Sequence, residues 1–211
     1  MFFPKVISPV YETIVSNNNI LTIIEVLVGG EDYKLCEQSS NNMSVNHKKG
    51  EWGLGLSNYE NDPRIVERVG RLGEMAFAKI FGLGVDLDYR EFGDNYDFIF
   101  LNNLTVDIKT AICRPLYDAG LIRAASSENN LLPLKCAVYF FSYIKNENRN
   151  EKRATIHLLG GKKRNDIINM EIKKARKGHH YNYEILYKDL IPVKKIFEVH
   201  KSFALRNINS P

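Results

Sequence analysis

Residues 94–110 read DNYDFIFLNNLTVDIKT, and two short apolar runs in this stretch flank an Asn-Asn pair. The runs lie at residues 98–100 and 106–108, which predicts two buried strands joined by a tight turn. Asp and Lys are both uncommon in such strands. Asp107 and Lys109 are two residues apart, so a strand places both on one face, roughly 7 Å apart along it. A carboxylate and an ammonium on one buried face therefore need a chemical explanation.

Two explanations for these charges are open. Buried charges are usually paired or bound to a metal, and Asp97 and Asp107 could share a magnesium ion through their oxygens. Lys109 would then lie beside the ion, where an ammonium can orient a water or offset charge on a phosphorus centre. The alternative is a hairpin at a solvent-exposed edge, in which Asp107 simply pairs with Lys109.

This stretch resembles the signature of the PD-(D/E)XK nuclease superfamily, whose members share the restriction-endonuclease-like fold. The matching residues are Asp97, a gap of nine residues, and then Asp107-Ile108-Lys109. Glu74, in the run GEMAF, resembles the acidic helix residue that many of these enzymes direct at the metal site. Tyr96 departs from the pattern, because it stands where the name-giving proline would be. The resemblance covers about residues 62–112 and does not reach the first 60 or so.

The resemblance implies an α/β fold with a restriction-endonuclease-like core, in which helices flank a mixed central β-sheet. It also implies a Mg²⁺-dependent deoxyribonuclease, an endonuclease that hydrolyses the phosphodiester bonds of DNA, and Mn²⁺ is expected to substitute. The catalytic residues would be Glu74, Asp97, Asp107 and Lys109. The metal ligands would be Asp97, Asp107 and the backbone carbonyl of Ile108, with Glu74 and Asp94 as further candidates. The rival hypothesis is a non-cleaving module on the same fold that binds nucleic acid or a protein partner.

The sequence from Pro63 to about Phe81 predicts a helix that is buried over a wide arc. Asp62 can cap this helix, and a proline is well suited to its first position. Glu74 falls at the edge of the apolar arc, and a surface ion pair with Arg71, three residues earlier, is the alternative to a role in the site. Three arginines are expected on the polar face: Arg64, Arg68 and Arg71. They could contact DNA phosphates, or they could pair with Glu67 and remain solvated.

The rest of the chain shows no internal repeat and no clean linker. We treat residues 1–55 as an N-terminal extension of unknown role, and residues 56–211 as the nuclease-like domain. Strands are expected at residues 4–15, 85–92, 135–144, 154–159 and 181–186, and residues 20–28 are expected to form a strand or a short buried helix. Residues 39–55 are expected to form a loop, residues 114–133 a loop or short helix, and residues 165–177 an amphipathic helix.

The net charge of +4 is distributed unevenly over the 211 residues. From Glu151 onward there are 14 Lys and Arg against 6 Asp and Glu, whereas residues 1–150 have 15 against 19. A basic C-terminal third beside a carboxylate site suits a protein that binds a polyanion, although basic patches are more often only solubilising. The DNA-binding candidates in this third are Lys162, Lys163 and Arg164. DNA is therefore the expected partner, and a homodimer is left open.

The cysteines and the apolar runs of the sequence indicate the cellular compartment of the protein. The three cysteines, Cys36, Cys113 and Cys136, are widely spaced and support neither a disulfide framework nor a zinc site. The longest apolar run, residues 20–28, is too short to span a bilayer, and the first residues lack the features of a secretion signal. We therefore expect a cytoplasmic protein with no membrane partner.

The metal hypothesis sets a condition on the register of the hairpin. Residues that lie opposite each other share a face, so Asp97 meets Asp107 only if paired residue numbers sum to 204. A two-residue turn at Asn102 and Asn103 would instead make the sum 205 and send the two carboxylates to opposite faces. The hypothesis therefore requires a turn of odd length, such as residues 101–103, or a bulge.

Overall fold

The computed structural model describes residues 1–16, 18–47, 63–87, 96–101, 103–115, 117–127, 130–175 and 181–208, which form a mixed α/β fold. The strands are β1 (Val10–Ser16), β2 (Asn19–Gly29), β3 (Phe98–Phe100), β4 (Leu104–Ala111), β5 (Ala119–Ser127), β6 (Asn130–Leu131), β7 (Val138–Asn148), β8 (Arg153–Lys163), β9 (Ile172–Lys174), β10 (Tyr181–Leu186) and β11 (Ile191–Pro192). The helices are α1 (Glu31–His47), α2 (Pro63–Phe81), α3 (Arg164–Ile167) and α4 (Val193–Ile208), with a 3₁₀ turn at Tyr187–Asp189. In the described part of the chain, no helix combines the length and the apolar character needed to cross a membrane.

The central sheet has seven strands in the order β1-β2-β8-β7-β4-β3, with β11 paired to β8 beside this path. Its neighbours are antiparallel except for β4 and β7, which run parallel. A parallel pair needs a long crossover connection, and here the crossover contains β5 and β6. These two strands join a second, four-stranded sheet in the order β6-β5-β10-β9. Of the N-terminal residues that we treated as an extension, the described ones add β1, β2 and α1 to the central sheet and its helical layer.

The two faces of the central sheet are covered by different layers. On one face, α1, α2 and α4 contribute to a core with side chains such as Phe77 and Phe140. On the other face, the second sheet and α3 enclose a core with side chains such as Tyr139 and Ile185. Val106 and Ile108 belong to the helix-covered core, so the alternation of a strand turns Asp107 and its neighbours in the same row toward the second sheet.

Helix α2 spans the predicted residues, but its polar face is not solvent-exposed throughout. Helix α1 packs against α2, and Arg68 and Arg71 are buried. Arg68 donates to both carboxylate oxygens of Glu147, at 2.9 and 3.2 Å, and Tyr33 of α1 donates to the same carboxylate at 2.6 Å. The placement of all three arginines on an exposed face is therefore wrong for Arg68 and Arg71, because α1 covers them, and correct for Arg64.

Three secondary-structure predictions outside the motif are wrong. Residues 39–47 continue α1 instead of forming a loop, and residues 119–127 form β5. The helix expected over residues 165–177 ends at Ile167 and is followed by β9. Strands β5 and β9 pair with the two sides of β10, so tertiary pairing overrides local preference in both segments. The strand expected at 4–15 starts only at Val10, and α4 had no counterpart in the prediction.

The predicted strands at 20–28, 135–144, 154–159 and 181–186 are confirmed with shifted bounds. Of the strand expected at 85–92, Val85 forms an isolated bridge with Phe2, and residues 88–92 lie outside the described residues. The predicted Pro63 to Phe81 helix is confirmed with the same bounds. Local periodicity was thus sufficient to locate β2, β7 and β8 of the central sheet.

Helix α2 lies close against β4 at Gly73. A Cβ atom built there would overlap Thr110 Oγ1 and lie 3.1 Å from Ser142 Oγ. The two hydroxyls are themselves joined by a 2.9 Å hydrogen bond. The absence of a side chain at Gly73 therefore lets α2 lie directly on β4, and Glu74 is the next residue along the helix.

Candidate active site

The register of the β3–β4 hairpin decides which side chains meet. The paired residues are Phe98↔Val106, Ile99↔Thr105 and Phe100↔Leu104, so their numbers sum to 204. Three residues separate the paired Phe100 and Leu104, an odd number, and two of them, Leu101 and Asn103, have φ angles of 36° and 68°. The three pairs of the hairpin have the register that the metal hypothesis requires. Asp97 precedes β3 and departs from that register by one residue, because its amide donates to the carbonyl of Val106, which is already paired with Phe98.

The Asp97 carboxylate is fixed to the backbone of the neighbouring strand. Its Oδ2 atom accepts a 2.6 Å hydrogen bond from the Ile108 amide, and its own amide donates to the Val106 carbonyl at 2.9 Å. Burial raises the pKa of Asp97 to about 8, assisted by the negative charges of Glu74 and Asp107. The hydrogen bond from Ile108 acts in the opposite direction. Asp97 is thus held in place in an environment that opposes its negative charge.

Asp107 and Lys109 form the ion pair that the sequence left open as the alternative. Lys109 Nζ lies 2.6 Å from Asp107 Oδ2. The approach is not aligned as a hydrogen bond, and this buried oxygen has no hydrogen-bond partner among the described residues. Burial alone would lower the pKa of Lys109, but the carboxylates of Asp107 and Asp97 outweigh it and raise that pKa. The Lys109 side chain is 40% exposed against 19% for Asp107, so the pair opens to solvent at the ammonium.

Glu74 lies on α2, and its charge affects Asp97 and is affected by Asp107. Its Oε2 atom accepts a 2.7 Å hydrogen bond from Arg71 Nη1, and Arg71 also donates to the Asp86 carbonyl at 2.8 Å. The ion pair with Arg71 is therefore present, but it is buried and not on the surface, with the Glu74 side chain only 13% exposed. Burial raises the pKa of Glu74; Arg71 lowers it, and the charge of Asp107 adds to the increase.

Three carboxylates thus influence one another electrostatically, yet each has its own cation or donor. The carboxylates of Glu74, Asp97 and Asp107 are too far apart to hold one metal ion together. In the described part of the chain, the ligand atoms of only one group of three, Glu12, Glu25 and His157, all lie within 4.8 Å of one another. A site built from Asp97, Asp107 and a backbone carbonyl needs only two side chains. Asp94, the remaining ligand candidate, lies outside the described residues.

The cluster of Glu12, Glu25 and His157 was not predicted from the sequence. His157 Nε2 lies 3.1 Å from Glu25 Oε2 and 3.4 Å from Glu12 Oε2, while Nδ1 lies 2.7 Å from the Tyr143 hydroxyl. Lys145 Nζ lies 2.6 Å from Glu25 Oε2 and 3.2 Å from Glu12 Oε2. Because an ammonium already compensates both carboxylates, the cluster is an ion-pair network in this structure. The interruption of the apolar run 20–28 by Glu25 was the available signal.

The basic candidates of the C-terminal third do not share one surface. Lys162 pairs with Tyr139, and Tyr139 is the neighbour of Asp107 in the next strand. Strands are about 4.8 Å apart, so Lys162 lies about 10 Å from Asp107 on the same sheet face. Lys163 faces the other side, toward α4, and Arg164 is exposed at the start of α3.

Comparison with known proteins gives no relative for this chain. No family model matches it, and neither a curated protein nor a solved structure matches it. A mixed α/β fold with a mixed central sheet flanked by helices is what the structure establishes. Membership of the PD-(D/E)XK superfamily stays a prediction that rests on the residues quoted above.

Proposed function

We propose that this protein is a metal-dependent endonuclease that hydrolyses DNA phosphodiester bonds, with Mg²⁺ as its metal and Mn²⁺ as a substitute. One observation carries the proposal: the Asp97 carboxylate accepts a hydrogen bond from the amide of Ile108, the residue between Asp107 and Lys109. Lys109 lies on the same face as Asp107 and in contact with it. Two carboxylates and a lysine in this arrangement are the groups that the PD-(D/E)XK signature implies.

The donor set is suited to a hard divalent cation. Magnesium prefers oxygen ligands and commonly takes one or two carboxylates from the protein. The buried Asp107 Oδ2 atom lacks a hydrogen bond among the described residues, and burial with mutual repulsion disfavours the anionic forms of Asp97 and Glu74. A divalent cation would give the Asp107 oxygen a partner and would stabilise the anionic forms of the carboxylates. Asp97 and Asp107 would hold it, with the Ile108 carbonyl as the resemblance implies.

When bound, such a metal lowers the pKa of a coordinated water and polarises a phosphoryl oxygen. The residues of the chain supply positioning and charge. Lys109 keeps its proton and is partly exposed, so it can stabilise negative charge that builds up on a phosphate. Arg71 fixes the Glu74 carboxylate, which would otherwise be free to turn away from the site.

The class of substrate follows from charge and position. Lys162 extends the face of Asp107 and Lys109 with a cation about 10 Å away. Tyr139, between Asp107 and Lys162, is buried, and the Lys162 ammonium donates to the Asp189 carbonyl at 3.1 Å. A polyanion would therefore have to extend beyond the covered Tyr139 and share that ammonium, which suits a chain longer than a single nucleotide. This arrangement supports a nucleic-acid substrate over a small phosphoester.

The test is cleavage of supercoiled plasmid DNA by the purified chain with Mg²⁺, Mn²⁺ or EDTA. We expect nicked and linear products with either metal and none with EDTA. Lys109→Ala and Asp107→Asn should each reduce cleavage at least about 100-fold, the usual effect of losing one charge-stabilising group. DNA affinity should fall much less, because phosphate contacts lie elsewhere.

Asp166→Asn and Lys173→Ala are matched controls, because both residues are exposed and lie in α3 and β9. They should cleave like the wild type, and circular dichroism should show that all variants fold. Near wild-type turnover of Lys109→Ala or Asp107→Asn would show that the site assignment is wrong. Salt-dependent DNA binding without cleavage under either metal would favour the non-cleaving module.

A further inference from the structure

A cavity of about 330 Å³ lies on the other side of β4 from Asp107. Its walls come from the helix-covered face of the sheet and from α4, with Val106 and Val138 on the sheet and Ile196 and Val199 on the helix. Apart from two lysines, the side chains that line it are apolar. Cavities that hold small molecules usually have volumes of about 300–1,000 Å³ and mostly apolar walls. This cavity is large enough for a small ligand at the lower end of that range.

The two lysines give the cavity its specific character. Lys163 and Lys195 both line it and are both exposed. Neither forms an ion pair or a side-chain hydrogen bond with another described residue, whereas Lys79, Lys145 and Lys152 are each paired with a carboxylate. One lysine comes from the end of β8 and the other from α4, so two unpaired ammonium groups from separate elements flank an apolar volume.

We propose that this cavity binds a single-chain amphiphile with a carboxylate head group, of the fatty-acid type. The alkyl chain would lie against Val106, Val138 and Val199, where burial of apolar surface favours binding. The carboxylate would lie between Lys163 and Lys195, where it is paired and still reached by water. The proposal does not depend on the nuclease proposal, because Val106 and Asp107 face opposite sides of β4.

Isothermal titration of the full chain with decanoate, octanoate and decanol tests both halves of the proposal, without DNA or metal in the sample. Decanoate should bind saturably, and affinity should increase about fourfold for each added methylene between octanoate and decanoate. Decanol has the same chain without the charge, and it should bind several-fold more weakly than decanoate.

Variants of the cavity test the contacts of the carboxylate and those of the alkyl chain separately. Lys163→Gln and Lys195→Gln should each weaken decanoate binding about two- to fivefold, the range for exposed ion pairs. Lys162→Gln is the matched control, because its neighbour on the strand faces the cavity and Lys162 does not. Leu104 lies in the cavity wall and is 41% exposed. Leu104→Trp should fill the space of the alkyl chain and weaken decanoate binding. Gly161→Ala adds a methyl group within 3.1 Å of Val138 Cγ1 and should also weaken binding.

Methyl NMR gives the location independently of affinity. Decanoate should shift the signals of Val138, Ile196 and Val199, and circular dichroism should show that the variants fold. Equal affinity for decanol and decanoate would overturn the carboxylate assignment. Full decanoate affinity in a variant that combines Lys163→Gln with Lys195→Gln would overturn it as well. Absence of saturable binding, or unchanged affinity in both Leu104→Trp and Gly161→Ala with unmoved methyl signals, would overturn the site.

Discussion

The Asp97 side chain is tied to the Ile108 amide by a 2.6 Å hydrogen bond between residues that are eleven positions apart. The bond crosses from the start of one hairpin strand to the middle of the other. Because its donor is a backbone group, the position of the Asp97 carboxyl follows the strand that carries Asp107 and Lys109. An asparagine at this position could accept the same hydrogen bond, so the charge can be removed while the geometry is kept.

Asp97→Asn should therefore abolish the proposed cleavage while it raises stability. The pKa of Asp97 is raised from 3.8 to about 8, so the ionised form is disfavoured in the folded chain, and the resulting penalty is greatest at high pH. Urea unfolding at pH 8 in EDTA should show a gain of up to about 5 kcal/mol, which disappears toward pH 4. Asp166→Asn should show no gain. A loss of stability at pH 8 would mean that Asp97 contributes to the fold as an anion.

The buried pair of Arg68 and Glu147 should be a major contributor to stability when only one partner is removed. Arg68→Ala should cost about 3 kcal/mol in urea unfolding, since it leaves the Glu147 carboxylate with only its more distant cation, the half-exposed Arg149, whose Nε lies 3.6 Å away. The double variant Arg68→Met, Glu147→Leu should cost less than Arg68→Ala. The exposed pair of Arg153 and Glu151, at 2.7 Å, is the control. Arg153→Ala should cost less than about 1 kcal/mol, and a similar cost for both arginines would contradict the assignment.

DNA affinity should depend on Lys162 more than on Lys163, although the two are adjacent. Lys162 shares a sheet face with Asp107, whereas Lys163 faces α4. Lys162→Ala should reduce the slope of log affinity against log salt by about 0.9, the loss expected for one phosphate contact. Fluorescence anisotropy with a short duplex measures both variants. Equal effects would place DNA over both faces, and an unchanged slope in the triple variant of Lys162, Lys163 and Arg164 would leave them as ordinary surface charge.

Stability below neutral pH should depend on His157. Burial lowers its pKa from 6.5, although Glu25 and Glu12 act in the opposite direction. The unfolded chain therefore binds a proton first, so the contribution of neutral His157 is complete above about pH 6.5 and is lost as pH falls below that value. Glu74 and Asp97 have raised pKa values and give the opposite slope. The measurement is the difference in unfolding temperature between the wild type and His157→Gln from pH 7.5 to 5. A difference that does not change with pH would contradict this role of His157.

The parts of the site that the sequence predicted are those determined locally. The alternation of apolar residues in the hairpin placed Asp107 and Lys109 on one face, and residue spacing fixed the condition on the register. The bounds of α2 followed from its first proline and its helical periodicity. The position of Glu74 at the edge of the apolar arc followed for the same reason, since a residue lies at a fixed angle on a helix of known phase.

The remaining features depend on contacts between distant segments. Strand β5 carries no clear period, and β9 lies in a segment that reads as an amphipathic helix; both become strands because β10 offers them two edges. Arg68 occupies a polar position of α2, and only the packing of α1 turns that position into a buried one. No single stretch of sequence encodes these pairings.

Gly73 has no functional group and touches none of the proposed catalytic side chains, yet the approach of α2 to β4 depends on it. Any larger residue would press on the hydroxyl pair of Thr110 and Ser142 and lift the helix, and with it the neighbouring Glu74. In a library of random substitutions selected for the proposed activity, position 73 would then tolerate as few replacements as an active-site position does. Its intolerance would have a purely spatial origin, and shortening Thr110 to glycine would be the change that restores freedom there.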